Sequence, residues 1–226
     1  MATQPEHPPI RTYKPRRGRL TTRQARELTT ESQYLLTADE DLDLESLFDG
    51  RPVFLEIGFG TGITTAQMAA QEPDFGFLAV DVHTPGVGDL IGRIHDEGLS
   101  NIRVIAGDAM QVLEHHLKGS SLAGVRSFFP DPWPKIRHQK RRLVQPDRAV
   151  LIADRVQIGG TWDLATDWSP YADHIELTLG ACAHWRGGRV PRPHWRPVTK
   201  YEALGLEQGR QIADFRYVRT ELAHTF

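Results

Sequence analysis

One cysteine, Cys182, stands among 226 residues. That excludes an internal disulfide framework and any multi-cysteine zinc site. No apolar run approaches the ~18 residues that a membrane span requires. Residues 1–9 carry no apolar stretch, which argues against a secretory signal. No G-x-x-x-x-G-K-[ST] pattern occurs, so a P-loop is excluded. No His/Asp cluster has ligand spacing, and no metal is expected. With 39% hydrophobic and 25% charged residues, the composition is that of a soluble globular chain. The length suits one domain, or one domain with an extension. A cytoplasmic protein without a membrane segment is expected.

Charge of either sign is plentiful, but it is segregated. Residues 1–30 hold seven Lys/Arg against two acids, residues 131–148 six against two, and residues 185–200 five against none. These stretches sum to +14 and the rest of the chain to −16. Basic blocks on an acidic body suit a polyanion, because cations release counterions from phosphates. Solvated faces and a disordered tail would read the same way.

Residues 1–20, rich in Pro, Arg and Gly, read as a mobile arm. A helix follows from Thr21 or Thr22, and residues 37–50 read as an acidic, polar connection. From Val53 on, short apolar runs alternate with helical stretches. Strands are predicted over 53–57, 75–80, 102–105, 125–129 and 160–165. Helices are predicted over 63–72, 87–97, 109–117, 146–157 and 170–182. Five β-α steps imply a parallel sheet covered by helices on both faces. Residues 215–218 add a last strand after an irregular stretch. The chain divides into an arm and lead-in helix over 1–47 and a main domain over 48–226.

The first long strand ends in Leu55-Glu-Ile-Gly58-Phe-Gly60-Thr-Gly62. Such glycines let a turn approach a ligand and aim the next helix N-terminus at it. Ile63 stands where a dinucleotide fingerprint has its third glycine. Glu56 beside the loop would repel a pyrophosphate but suits a ligand with an ammonium, a ribose and a sulfonium. That favours S-adenosylmethionine over NAD. Asp81 ends the second strand, placed to accept ribose hydroxyls. Asp108 ends the third, within reach of an adenine amino group. Singly, each Asp is also a good helix cap.

Phe128-Phe-Pro130-Asp131-Pro132-Trp133-Pro134-Lys135 is neither helix nor central strand. It forms a rigid protrusion that holds a carboxylate and an indole. Arg137-His138-Gln139-Lys140-Arg141-Arg142 follows at once. A flat ring, an acceptor and a cationic run suit a base with its phosphates. Trp133 and Tyr201 are candidate stacking partners. Asp167-Trp168 ends the fifth strand, and Thr199-Lys200-Tyr201-Glu202 lies in the irregular region before the last strand.

Taken in order, these segments resemble the bacterial tRNA (guanine-N7-)-methyltransferase family over about residues 50 to 218. Further segments carrying the likeness are Asp81-Val-His83-Thr-Pro-Gly-Val-Gly88 and, in the arm, Arg16-Arg-Gly-Arg-Leu-Thr21. The Phe129-Pro-Asp-Pro-Trp-Pro-Lys135 block is its most specific feature. The resemblance implies a Rossmann-like class I fold with a mostly parallel seven-stranded sheet. It implies methyl transfer from S-adenosylmethionine to N7 of guanine 46 in the tRNA variable loop. A monomer or a homodimer is expected. Glu56, Gly58, Gly60, Asp81, Asp108 and Asp131 would then contact the cofactor, with Asp131 also the catalytic residue. Lys135, Asp167, Thr199, Lys200, Tyr201 and Glu202 would contact the substrate, and residues 137 to 142 the RNA. Two positions depart from the family: Asp81 where Glu is usual, and Pro134 where a polar residue is common. The alternatives are an amino-group methyltransferase acting on another RNA or a protein, a non-catalytic RNA-binding relative, and a nicotinamide-dependent dehydrogenase, the last disfavoured by Ile63 and the missing catalytic dyad.

Overall fold

Val53–Ile57 sets the frame, because its apolar residues bury both faces of one strand. The computed structural model describes residues 10–14, 18–29, 33–37 and 39–221. In chain order its elements are α1 (Thr22–Thr29), β1 (Leu35–Leu36), α2 (Leu44–Leu47), β2 (Val53–Ile57), α3 (Ile63–Gln71), β3 (Gly76–Asp81), α4 (Thr84–Glu97), β4 (Ile102–Ala106), α5 (Ala109–His115), β5 (Leu122–Phe128), α6 (Pro146–Arg155), β6 (Val156–Thr166), α7 (Ser169–Gly180), β7 (Trp185–Val190), α8 (Lys200–Glu207) and β8 (Ala213–Arg219). A 3-10 turn over Ile136–Arg141 precedes α6. Helix starts follow local chemistry. Proline occupies the first turn of α4, α6 and α7, where its missing N–H costs nothing. The Asp43 and Asp108 side chains cap α2 and α5.

The eight strands form one sheet in the order β1-β4-β3-β2-β5-β6-β8-β7. The first six in that order are mutually parallel, while β8 runs antiparallel to both β6 and β7. Successive residues of β3 serve opposite faces, as the period-2 pleat requires. Phe77 and Ala79 pack with Met68, Leu90, Ile91 and Ile94 from α3 and α4. Leu78 and Val80 pack with Leu113, Ile152, Tyr171 and Ile175 from α5, α6 and α7. Helices therefore cover both faces, which a parallel sheet needs.

The mostly parallel α/β sheet with helices on both faces is as the sequence indicates; the strand count is not. Among the described residues the sheet has eight strands rather than the seven the resemblance implies: to the six located in the sequence, Leu35–Leu36 adds one on the far side of β4 and Trp185-Arg-Gly-Gly-Arg-Val190 adds β7. Residues 37–50 are more than a connection. Leu42, Leu44 and Phe48 lie in the core, and α1 binds α4 through Gln24 Nε2 donating to Asp89 Oδ1 (2.9 Å). A division at residues 47/48 thus marks no break in packing. Residues 1–9 and 15–17 of the arm lie outside the described residues. Residues 10–14, expected to be mobile, lie against the loop that carries Asp131.

Phe48 is 1% exposed, and its ring sits 2.5 Å from where a Cβ on Gly76 would stand. Phe48→Ala should lower stability by about 3–5 kcal/mol. Chemical denaturation checks this; an unchanged midpoint would leave 42–48 outside the core.

Candidate active site

The parallel register sets the strand ends level, and the chain turns there into short polar loops. β2 leads into Gly58, Gly60 and Gly62, all left-handed with φ of 79°, 65° and 70°. That backbone is open to glycine at little cost. Asp81, the last residue of β3, holds this loop. Its Oδ2 accepts the Gly60 N–H (2.7 Å) and its Oδ1 the His83 N–H (2.8 Å). Gly86, near the start of α4, packs on the loop so closely that a Cβ there would lie 1.8 Å from Gly60 O. At Gly58 and Gly60, by contrast, a Cβ would meet nothing within 4 Å. Asp108 Oδ1 accepts the Met110 N–H (3.0 Å) at the start of α5, and the residue is half-buried.

Glu56 lies beneath the loop, 2% exposed. Burial pushes its carboxyl up to about 7. The buried Thr65 hydroxyl of α3 lies beside it and opposes that rise, although neither Glu56 Oε2 nor Thr65 Oγ1 makes a well-formed hydrogen bond. Arg126 pairs in register with Glu56 on β5 and moderates that rise. The Arg126 guanidinium donates to both oxygens of Glu72 (2.7 and 3.1 Å), with the Phe54 and Trp195 rings each 4.2 Å away.

The loop after β5 is tightly held. The Phe129 N–H donates to Ala165 O (2.8 Å), and both Phe129 and Trp133 have positive φ (54° and 44°). Asp131 is half-buried, and its Oδ2 accepts the Lys14 N–H (3.0 Å). Trp133 is buried: its indole N–H donates to Thr12 O (3.0 Å) and its ring packs against His138, Lys14 and Arg141. It is therefore enclosed rather than offered for stacking on a base. Lys135, Arg137 and Lys140 are exposed, whereas His138, Gln139 and Arg141 are half-buried. Partial burial, aided by the surrounding cations, lowers the His138 pKa. Arg142 does not join the exposed run. It is 2% exposed, donates to Pro132 O (3.0 Å) and lies over Tyr171, so its guanidinium cannot reach RNA phosphates from this position.

Across the sheet edge, Asp167 Oδ2 accepts from Arg210 Nη1 (2.5 Å) and packs beside Gly205 of α8. Thr199 caps α8 by accepting the Glu202 N–H (3.0 Å). Lys200 and Tyr201 are exposed, but Glu202 is buried, with its carboxylate engaged by Arg196.

Residues 50–215 match a family model described as "Putative methyltransferase". The chain is 46% identical over 220 residues to a tRNA (guanine-N(7)-)-methyltransferase of Streptomyces avermitilis, covering 94% of this chain and 76% of that protein. It is 44% identical to the corresponding protein of Nitrosomonas europaea, covering 95% and 98%. The chain belongs to the tRNA (guanine-N7-)-methyltransferase family. Its fold is also that of distant solved methyltransferases. The 16S rRNA methyltransferase KamB aligns with a TM-score of 0.60 at 16% identity over 81% of this chain and 96% of that one. A Streptococcus thermophilus rRNA methylase aligns at 0.53 and 13%, over 79% and 92%.

As a member of the family, the chain is an S-adenosylmethionine-dependent methyltransferase. The residues present fit that group. The open face of the glycine loop leaves room for it, and the buried Glu56 Oε2 lacks a well-formed hydrogen bond. Asp81 differs from the expected picture in one respect: both its oxygens already accept backbone N–H groups, so any ribose contact must use the remaining lone pairs. Sequence reasoning missed Thr12, Lys14, Gly86, Arg126 and Arg196. Of these only Gly86, within the family-like 81–88 segment, carried a signal. Among the described residues no helix is long and apolar enough to cross a membrane, and no His/Cys/Asp/Glu group could hold a metal ion.

Gly86→Ala should cut S-adenosylhomocysteine affinity at least about tenfold with the fold retained, because the new methyl displaces Gly60. Calorimetry and circular dichroism check this; wild-type affinity would show that the loop accommodates the methyl. Glu56 holds its proton more tightly when folded (about 7) than the ordinary 4.5. Stability of the ligand-free protein should therefore fall as pH rises from 4.5 to about 7. Affinity for S-adenosylhomocysteine, which carries an ammonium, should rise as pH passes through about 7, and Glu56→Gln should flatten that profile.

Proposed function

We propose that this enzyme methylates N7 of guanine 46 in the variable loop of tRNA, in the cytoplasm. The observation that carries this reading is one juxtaposition. The Asp131 loop leaves the same sheet edge as the glycine loop and runs directly into exposed Lys135, Arg137 and Lys140. A site for a cationic purine product thus adjoins a surface for phosphates. The activity named for the relatives from Streptomyces and Nitrosomonas supports the same substrate.

Guanine N7 carries a lone pair and no proton, so the reaction needs no general base. S-adenosylmethionine supplies a methyl group made electrophilic by its sulfonium. The chain's task is to hold N7 in line with that methyl, an effect worth up to about 7–11 kcal/mol. Glu56, the Gly58–Gly60 turn, Asp81 and Asp108 hold the donor. Asp131 stabilises the positive charge that develops on the base, or accepts from its N1–H and N2–H. Its Oδ2 takes one backbone N–H, which fixes the carboxylate without consuming its acceptor capacity. Asp167, at the end of β6, lies beside Gly205 of α8, whose first turn carries the exposed Lys200 and Tyr201; these are the substrate-side residues of the reading. Extruding the base costs a few kcal/mol, and Tyr201 offers an exposed ring there.

Incubation with labelled S-adenosylmethionine and unmodified tRNA should place the label on guanine N7 at position 46. Label on an exocyclic amine, or on protein, would overturn the reading. Asp131→Ala should lower kcat by about a hundredfold or more while gel shifts still show tRNA binding. Neutralising Lys135, Arg137 and Lys140 should reduce the salt slope of tRNA binding by about 0.7–0.9 per lost phosphate contact. An unchanged slope would make these residues a merely solvated surface.

A further inference from the structure

Arg196 belongs to the third basic block, yet it is 1% exposed and among the largest fully buried side chains. Its guanidinium is held by two carboxylates. Nε and Nη2 donate to Asp214 of β8 (2.7 and 3.1 Å), and Nη1 and Nη2 donate to Glu202 of α8 (2.6 and 3.2 Å). The guanidinium carbon lies 5.6 Å and 5.8 Å from the Phe128 and Phe129 ring centroids. Those two residues are the root of the Asp131 loop. Arg192 closes the cluster, pairing with Glu202 Oε1 (2.9 Å) and donating to Arg196 O (2.6 Å). Two buried carboxylates thus face two guanidinium groups. The ladder completes the arrangement, because Ala165 of β6 pairs with both Phe128 and Asp214 and its carbonyl accepts the Phe129 N–H.

We infer that Arg196 is a positioning residue for methyl transfer: it locks the first turn of α8 to the root of the Asp131 loop. The inference rests on the proposed function for its catalytic readout. Burying charge is expensive, and such clusters are weak sources of stability. What this one supplies is geometry, since a planar five-donor fork holds both carboxylates at fixed angles. Thr199 and Glu202 then act inward. Thr199 caps the helix and Glu202 anchors it, which fixes the helix start that carries the exposed Lys200 and Tyr201 relative to the root of the Asp131 loop.

Three variants test this: Arg196→Lys, which keeps the charge and loses the fork, Glu202→Gln, and the two combined. Each single variant should lower kcat/KM for tRNA at least tenfold, with S-adenosylhomocysteine affinity within twofold of wild type. The double variant should be no worse than the worse single one, since both changes break one clamp. Amide exchange of the ligand-free protein should quicken at least tenfold in 128–133 and in 199–204 together. Additive kinetic losses, or a loss confined to Glu202→Gln, would mean that Glu202 acts without Arg196 and would overturn the inference. So would faster exchange in 199–204 alone. Should Arg196→Lys not fold, Asp214→Asn loosens the same fork and is read in the same way. If the wild type methylates no tRNA guanine, the proposed function falls, while the exchange data still decide the clamp.

Discussion

Parallel pairing with level strand ends is the constraint on which this molecule rests. Ile57 pairs with Val80, Asp81 with Ala106, and Phe128 with Ala165. The loops after β2, β3, β4, β5 and β6 consequently leave the sheet at one edge. Each begins with a group of consequence: the glycine turn, Asp81, Asp108, the Asp131 loop and Asp167. No single helix or loop could assemble them, since they span more than a hundred residues of chain. Hydrophobic burial on both faces fixes the strands. The same force that stabilises the fold therefore also places the site.

Within that edge the glycine turn and Asp81 act as one part. A turn with three left-handed residues is mobile by nature, since glycine has much conformational entropy to lose. Two backbone hydrogen bonds to one carboxylate, and the contact of Gly86 with Gly60 O, remove that freedom before any ligand arrives. Asp is one methylene shorter than Glu, which keeps the carboxylate close to the main chain it binds. Beneath the turn, Glu56 works the other way. Raising a carboxyl from 4.5 to about 7 corresponds to a penalty on the order of 3 kcal/mol for its ionised form. A cationic ligand that reaches Glu56 recovers part of that penalty, so this strained acceptor favours such a ligand over a pyrophosphate.

Much of this was legible in the sequence, and what was not has physical reasons. Period-2 and period-3.6 apolar patterns located most of the long strands and helices, because those patterns are what the two faces bury. β1 is too short to carry a pattern, and β7 has Gly187-Gly188 at its centre, which reads as a turn. Charge misled more deeply. Composition counts cations but does not say where they point. Arg142, Arg148 and Arg196 all sit in basic blocks and are all buried, bound to backbone carbonyls or carboxylates. Likewise Trp133 and Glu202 looked like surface recognition groups and serve the interior. The Asp131 loop was recognisable from its prolines. Its contact with Lys14, well over a hundred residues away in sequence, was not, since nothing local encodes it.

That contact also bears on what Asp131 can be asked to do. A general base must have its acceptor pointed at a departing proton. Here one carboxylate oxygen already takes the Lys14 N–H, and the loop is held by Phe129 N–H to Ala165 O and by Arg142 to Pro132 O. The result is a fixed negative charge. Attack by a nitrogen lone pair releases no proton and leaves a cation on the purine. What it requires nearby is a preorganised charge that need not move during the reaction. The rigidity that would hinder a proton shuttle is therefore an advantage for this chemistry. Under the proposed function, it also accounts for the three prolines, two positive-φ residues and buried arginines around one aspartate.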